Sequence, residues 1–181
     1  MNATGSIKQA TISAVVIRAN GQREDRGIIA YWHMNLPRRL WHLVRYGTWP
    51  HQATFVVDNG LGITTARLRG TGTEPLNIAW GTGAGTAAAI DTSLFTEVLV
   101  NMSAGTTDHT VGTSSQQTTS TTNDTYRVTG TRTATASGTI TNAGLWDAAS
   151  GGTLYLKGDF TGIALANGDA IAFTFNAQYN Q

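Results

Sequence analysis

Short runs of alternating apolar and polar residues, separated by turn-forming dipeptides, make up most of this 181-residue chain. Residues 10–17 and 27–32 are two such runs, and the Asn20-Gly21 pair between them is a strong signal for a β-hairpin. Residues 170–179 alternate large apolar side chains with small or polar ones, as in a strand that buries one face. The pattern therefore predicts short antiparallel strands at both ends of the chain.

A helical spacing follows the first hairpin. Between residue 35 or 36 and Gly47, leucines and a valine recur three or four positions apart, so they would share one face of an α-helix. A proline near the start suits the first helical turn, and Gly47 suits the stop. We predict a short amphipathic helix here and a second helix over residues 58–68, where Asp58 could cap the first turn.

From residue 76 onward the sequence repeats strand, turn and strand, with Thr and Gly prominent throughout. Many short strands at this spacing indicate an antiparallel β-sandwich, jelly-roll or immunoglobulin-like, with an N-terminal β-hairpin plus a short α-helix. The predicted strands of this part cover residues 76–81, 95–102 and 126–136, a hairpin over 138–160, and the last strand at 170–179.

One tract between the predicted strands departs from this pattern. Residues 103–124 are dominated by Thr and Ser and hold almost no large apolar side chains, so they cannot build a core of their own. Two interpretations stay open: an exposed long hairpin, or an ordered sheet edge that a neighbouring subunit completes. In the first case the sandwich should fold without the tract.

The distribution of charge divides the chain in two, although the net charge is only +1. Residues 1–70 carry nine of the twelve basic residues against three acidic ones, whereas residues 71–181 carry three basic residues against eight acidic ones. Opposite halves of this kind are typical of surfaces with different partners. Together with a break in the pattern at residues 48–51, this predicts a hairpin–helix attachment module at 1–50 and a β-sandwich domain at 51–181.

No pattern typical of catalysis or metal binding is present in the sequence. The chain has no cysteine, and its four histidines show no ligand spacing. The glycine-rich segment 81–86 lacks the lysine of a phosphate loop, and no serine has a histidine nearby in sequence. We therefore expect a protein that is not an enzyme, with no catalytic residue, cofactor or metal. No apolar run reaches the length of a membrane span, and no signal peptide is recognised, so we expect no membrane partner.

A cluster of aromatic and basic residues around the first predicted helix is the best candidate for a binding surface. Trp, Tyr and Arg are the residues that most often anchor protein–protein interfaces. A helix of about a dozen residues also needs a packing partner in water. Docking on another protein ranks first, packing against the rest of the chain second, and nucleic acid, which the same mixture can bind, third. The candidate partner-binding residues are Trp32, Arg38, Arg39, Trp41, Arg45, Tyr46 and Trp49.

Three short motifs in the acidic half give the chain a resemblance to a known group of proteins. Residues 77–83 read Asn-Ile-Ala-Trp-Gly-Thr-Gly, residues 140–155 read Ile-Thr-Asn-Ala-Gly-Leu-Trp-Asp-Ala-Ala-Ser-Gly-Gly-Thr-Leu-Tyr, and a strand at 169–175 is entered through Gly168-Asp169. In this order the motifs resemble a pattern found in β-rich structural proteins of tailed bacteriophages, of decoration or tail type. The resemblance covers most of the chain after the first helix.

The resemblance implies a non-enzymatic virion structural protein, located in the virion and assembled in the host cytoplasm. Small size and a basic aromatic half opposite an acidic one favour a capsid decoration (cement) protein, bound to the outside of the head through the major capsid protein or another virion protein. Contacts would add through multivalency in a homo-oligomer, for which a homotrimer is favoured. A tail, baseplate or fibre-base structural subunit is the alternative. A carbohydrate-binding module ranks below both.

Overall fold

Two antiparallel β-sheets packed face to face form the body of the protein in the computed structural model, which describes residues 7–32, 36–47, 49 and 54–179. This architecture confirms the predicted mainly β sandwich with an N-terminal hairpin and a short helix. The elements in chain order are β1 (Ile7–Ile17), β2 (Arg23–Trp32), α1 (Leu36–Tyr46), β3 (Thr54–Val56), α2 (Asp58–Leu68), β4 (Asn77–Gly81), β5 (Glu97–Val98), β6 (Thr110–Val111), β7 (Thr113–Gln117), β8 (Thr125–Thr133), β9 (Gly138–Trp146), β10 (Leu154–Leu165) and β11 (Ala170–Tyr179).

The first sheet, sheet A, has the strand order β2-β1-β11-β8-β7. The second, sheet B, has the order β3-β10-β9-β4-β5, with β6 beside β4. Side chains along a strand alternate between its two faces, and the apolar ones face the core between the sheets. Ile12 and Val16 of β1 lie in this core together with Phe173 and Phe175 of β11. Each apolar side chain of this size contributes about 1.5–3 kcal/mol by leaving water.

The N-terminal hairpin belongs to this core. β1 pairs with β11 over residues 7–17, so it is an inner strand of sheet A. The boundary predicted at residue 50 therefore does not separate two structural units. Of the elements before it, only α1 lies outside the sheets. The linker predicted at residues 48–51 lies, apart from residue 49, outside the described residues.

Long connections cover the outer face of sheet B and form a third layer. Leu94, in the connection from β4 to β5, packs with Trp146 and Leu154 in a second small apolar cluster. His109, which follows β5, stacks on the same Trp146 ring at a centroid distance of 5.3 Å. Trp80 lies in the main core between the sheets. Both strand tryptophans are therefore buried.

Two predictions on residues 95–124 need correction. The strand predicted at 95–102 is only Glu97–Val98, because the chain turns back after it and Met102 takes a positive φ. The Thr-rich tract 103–124 contributes β6 to sheet B and β7 to the edge of sheet A, paired with β4 and β8 of the same chain. The tract is therefore a sheet edge, as the second interpretation held, but it is completed within the chain.

The second helix and the turn between β9 and β10 are confirmed, and glycine explains both. Gly151 and Gly152 have φ of 60° and 87°, a region in which other residues are strained. Gly60 allows α2 to lie directly on β10, since a Cβ there would collide with the backbone of Tyr155. This contact outweighs the low helix propensity of Gly60 and Gly62.

Candidate partner-binding surface

Helix α1 rests on β2 through one side only. His42 is its buried residue, and the His42 and Tyr46 rings contact each other at a centroid distance of 4.6 Å. Both rings lie against Gly27 of β2, where a Cβ would be 2.6 Å from Cε2 of Tyr46. Gly27 also has a φ of 61°. Because glycine alone tolerates both the positive φ and this close contact, Gly27 sets how near α1 lies to the sheet.

The apolar stripe of α1 points into solvent. The exposed fractions are 68% for Leu36, 54% for Leu40, 60% for Trp41 and 81% for Val44. Amphipathic helices of globular proteins normally turn such a stripe to the core. Here the body of the protein contacts the opposite side of the helix. Packing against the rest of the chain ranked second among the possible partners of this helix. The helix does pack on the chain, but this packing leaves the apolar stripe uncovered.

The seven residues predicted to bind a partner fall into two groups. The exposed group comprises Arg38, Trp41 and Arg45 of α1 together with Trp49, which follows the helix. The half-buried group comprises Trp32, Arg39 and Tyr46. We use the name α1 surface for the exposed stripe with its two arginines, that is Leu36, Arg38, Leu40, Trp41, Val44 and Arg45.

The half-buried residues make contacts within the protein itself. The guanidinium of Arg39 lies 5.5 Å from the ring centre of Tyr31 and 5.2 Å from that of Trp49, between two aromatic faces. Trp32 packs on Phe55 at a centroid distance of 4.6 Å and borders the main core. These contacts give Trp32 and Arg39 structural roles that sequence spacing alone does not reveal.

A groove of about 450 Å³ separates α1 from the outer face of sheet A. Trp41 and Arg38 form its wall on the helix side. Its floor is polar: Asn176 Nδ2 donates to Thr11 Oγ1 at 3.1 Å, and Arg127 Nε donates to Asn176 Oδ1 at 2.8 Å. The α1 surface is thus apolar at its centre and bordered on this side by a polar groove.

A second set of side chains, which the sequence analysis did not single out, lies under the layer that covers sheet B. Lys157 of β10 is completely buried, and its Nζ donates to Asp91 Oδ2 at 2.8 Å and to the Ser93 carbonyl at 3.0 Å. The same Nζ lies 3.1 Å from the ring centre of Phe95. A lysine in the apolar run Leu154–Phe160 is the one sequence signal that could have pointed to this cluster.

Four aspartates bond backbone N–H groups: three of them do so within a turn, whereas Asp159 lies inside β10 and accepts an N–H from a residue 72 positions away. Asp91, Asp147, Asp159 and Asp169 each accept a hydrogen bond from a backbone N–H. Three interactions hold the pKa of Asp169 at about 2: the Ala166 N–H first, then the guanidinium of Arg18 and the Ala19 N–H. Asp91 also pairs with the buried Lys157, and Asp159 is itself buried, which turn chemistry alone does not explain.

No protein-family model matches the chain, and no curated protein or solved structure matches it either. Within residues 7–32, 36–47 and 54–179, no group of three or more histidine and acidic side chains could hold a metal ion. Neither described helix is long and apolar enough to cross a membrane. The α1 surface is the candidate partner-binding surface that the described residues offer.

Proposed function

We propose that this protein is a non-enzymatic structural component of a tailed-phage virion, and that it decorates the outside of the capsid. The observation that carries the proposal is the outward-facing apolar stripe of α1. The stripe keeps four large apolar side chains in contact with water. A contiguous exposed patch of this kind is typical of a protein–protein contact site.

The chemistry of the α1 surface defines its partner. The helix carries three arginines and no acidic residue, so the complementary surface is apolar at its centre and acidic at its rim. Trp41 supplies a large aromatic anchor, and Arg38 and Arg45 can reach acidic groups around it. The major capsid protein is the proposed partner, because a shell presents one such surface in many copies.

The acidic half of the chain supports the same orientation. Residues 71–181 carry eight acidic residues against three basic ones, and they form most of sheet B and its cover. With α1 on the capsid, sheet B and its cover face away from it, since α1 lies beside the outer face of sheet A. We propose that three copies associate, so that each contact can be weak while the assembly stays bound.

The test is binding to particles prepared without this protein. Leu40→Ser with Val44→Ser removes the centre of the stripe. The control is Leu68→Ser, which changes a leucine on α2 that is 84% exposed. We expect the double variant to lose particle binding and the control to keep it. Imaging of decorated virions then locates the protein on the head. Localisation to the tail would overturn the capsid assignment. Loss of binding only in the control would overturn the proposal that the α1 surface binds the particle.

A further inference from the structure

The buried pair of Lys157 and Asp91 has the arrangement of a reaction site. The Lys157 side chain is 0% exposed and the Asp91 side chain 19% exposed, and their Nζ and Oδ2 atoms are 2.8 Å apart. An ammonium taken out of water is costly unless its pairing is excellent, and a hydrophobic residue in its place is often no less stable. The Phe95 ring against Nζ keeps water from one side of the amine.

We infer that Lys157 and Asp91 join in an intramolecular isopeptide bond. The Asp91 carboxyl carbon is one C–O bond beyond the hydrogen-bonded oxygen, close to the separation of about 3–3.5 Å at which reacting atoms meet. The fold holds both groups in this geometry, which turns a slow bimolecular condensation into a first-order step. The proposal rests on this geometry alone and is independent of the capsid assignment.

The reaction is a condensation that balances without any other reactant. A proton moves from Nζ to the carboxylate, which leaves a neutral amine and a carboxylic acid and removes the buried charge of Lys157. The amine nitrogen attacks Cγ and forms the new C–N bond. The hydroxyl of the tetrahedral intermediate then leaves with a proton from the nitrogen, as water. The products are one amide and one water molecule, and nothing is oxidised or reduced.

The surroundings of Asp91 suit each stage. The Ala88 N–H donates to Oδ2 at 3.0 Å and so holds the Asp91 carboxyl in place beside Nζ. Because the Asp91 carboxyl is partly exposed, the released water has a path to solvent. A buried lysine freed from its hydration shell is also the form in which this side chain acts as a nucleophile.

Asp159 is placed to move the proton. It lies two residues after Lys157 on β10, so both side chains project from the same face of sheet B. Its Oδ2 accepts the N–H of Ala87, while Asp91 accepts the N–H of Ala88, so the two carboxyls flank one short stretch of backbone. The Asp159 carboxylate can take a proton from the attacking nitrogen and return it to the departing hydroxyl.

The decisive experiment is the intact mass of the purified, natural chain. We expect it to be lower than the sequence value by the mass of one water, and Lys157→Arg, which keeps the charge, to have its full sequence value. Trypsin should then release residues 70–127 joined to residues 133–181, because the link blocks cleavage at Lys157. A full sequence mass that persists after prolonged incubation, with cleavage at Lys157, would mean a simple ion pair and overturn the proposal.

The role of Asp159 has a separate readout. Asp159→Asn keeps the side-chain size, and we expect newly folded protein with this change to lose water at least tenfold more slowly than the natural chain. Circular dichroism confirms that the variant is folded before its mass is followed over time. Bond formation at the natural rate in Asp159→Asn would remove Asp159 from the mechanism and leave the bond itself in place.

Discussion

The imidazole Nε2 of His109 lies 2.7 Å from Oε1 of Glu97, and the His109 side chain is completely buried. Its other ring nitrogen, Nδ1, donates to the carbonyl of Ala148 at 2.8 Å, so both nitrogens face acceptors. Only the protonated ring can donate to both. This pair joins the Thr-rich tract to β5 of sheet B, and its two residues are 12 positions apart in sequence.

The first prediction is that stability depends on the protonation of His109. Burial is the largest influence and lowers the pKa of His109, but the Glu97 carboxylate and the Ala148 carbonyl together raise it above the ordinary 6.5. A raised pKa means that the stabilisation is fully present below about pH 6.5 and is lost as the pH rises through the folded-state value. The urea concentration at the unfolding midpoint of the natural chain should therefore be lower at about pH 9 than at about pH 6. His109→Gln should remove most of the difference, and an unchanged difference would contradict the prediction.

The second prediction is that Asp108→Ala is strongly destabilising. The guanidinium of Arg132 is completely buried over the Trp80 ring, and its Nη2 pairs with Asp108. Removal of one partner leaves a buried charge unpaired, which costs about 3 kcal/mol. Thr113→Ala on the exposed edge strand is the control and should stay within about 0.5 kcal/mol of the natural chain. Equal unfolding free energies for the two variants would show that Arg132 finds other partners.

The third prediction reverses an expectation from sequence. Composition alone indicates that the tract over residues 106–121 can be removed with a change in stability of about 1 kcal/mol. The same deletion removes Asp108, His109 and the edge strand β7. We therefore expect it to prevent stable folding, measured as loss of the cooperative urea transition. A deletion variant that still unfolds cooperatively with a similar midpoint would show that the tract is dispensable after all.

The fourth prediction separates the two groups of aromatic and basic residues. Trp41→Ala should lower the affinity for the particle about thirtyfold, because the loss of an anchor costs about 2 kcal/mol of binding free energy. The same change should leave the unfolding midpoint unchanged. Arg39→Ala should instead loosen α1, because it removes a cation between two rings worth about 1 kcal/mol. Hydrogen exchange of the α1 amides measures this loosening. Faster exchange in Trp41→Ala than in Arg39→Ala would reverse the assignment.

The fifth prediction concerns acid. The pKa of Asp169 is lowered to about 2 from 3.8 by the Ala166 N–H, Arg18 and the Ala19 N–H. A lowered pKa means that this stabilisation is present above about pH 4 and is lost as the pH falls towards 2. Asp169→Asn should therefore destabilise the protein at neutral pH and flatten its stability curve between these values. If the stability of the variant falls with decreasing pH as steeply as that of the natural chain, groups other than Asp169 cause the loss of stability in acid.

Most of the strands, the turns between them and both helices could be predicted from the sequence because their signals are local, but β6 and β7 were not predicted. Alternation over residues 170–179 places one face of β11 in the core wherever that strand pairs. Asn20-Gly21 and the two glycines before β10 specify turns through their own backbone freedom. The prediction for residues 95–102 was wrong because an apolar run does not reveal that the chain turns back within it.

Only the tertiary structure decided what these elements bring together. The spacing of leucines in α1 predicted a stripe, but Gly27 and the rings of His42 and Tyr46 determined that the opposite side rests on the sheet. Lys157 and Asp91 are 66 positions apart, and no periodicity relates them. The sequence determined local geometry because neighbouring residues share φ, ψ and face. Contacts between layers depend on how whole sheets and connections pack together, and a short stretch of sequence does not specify that packing.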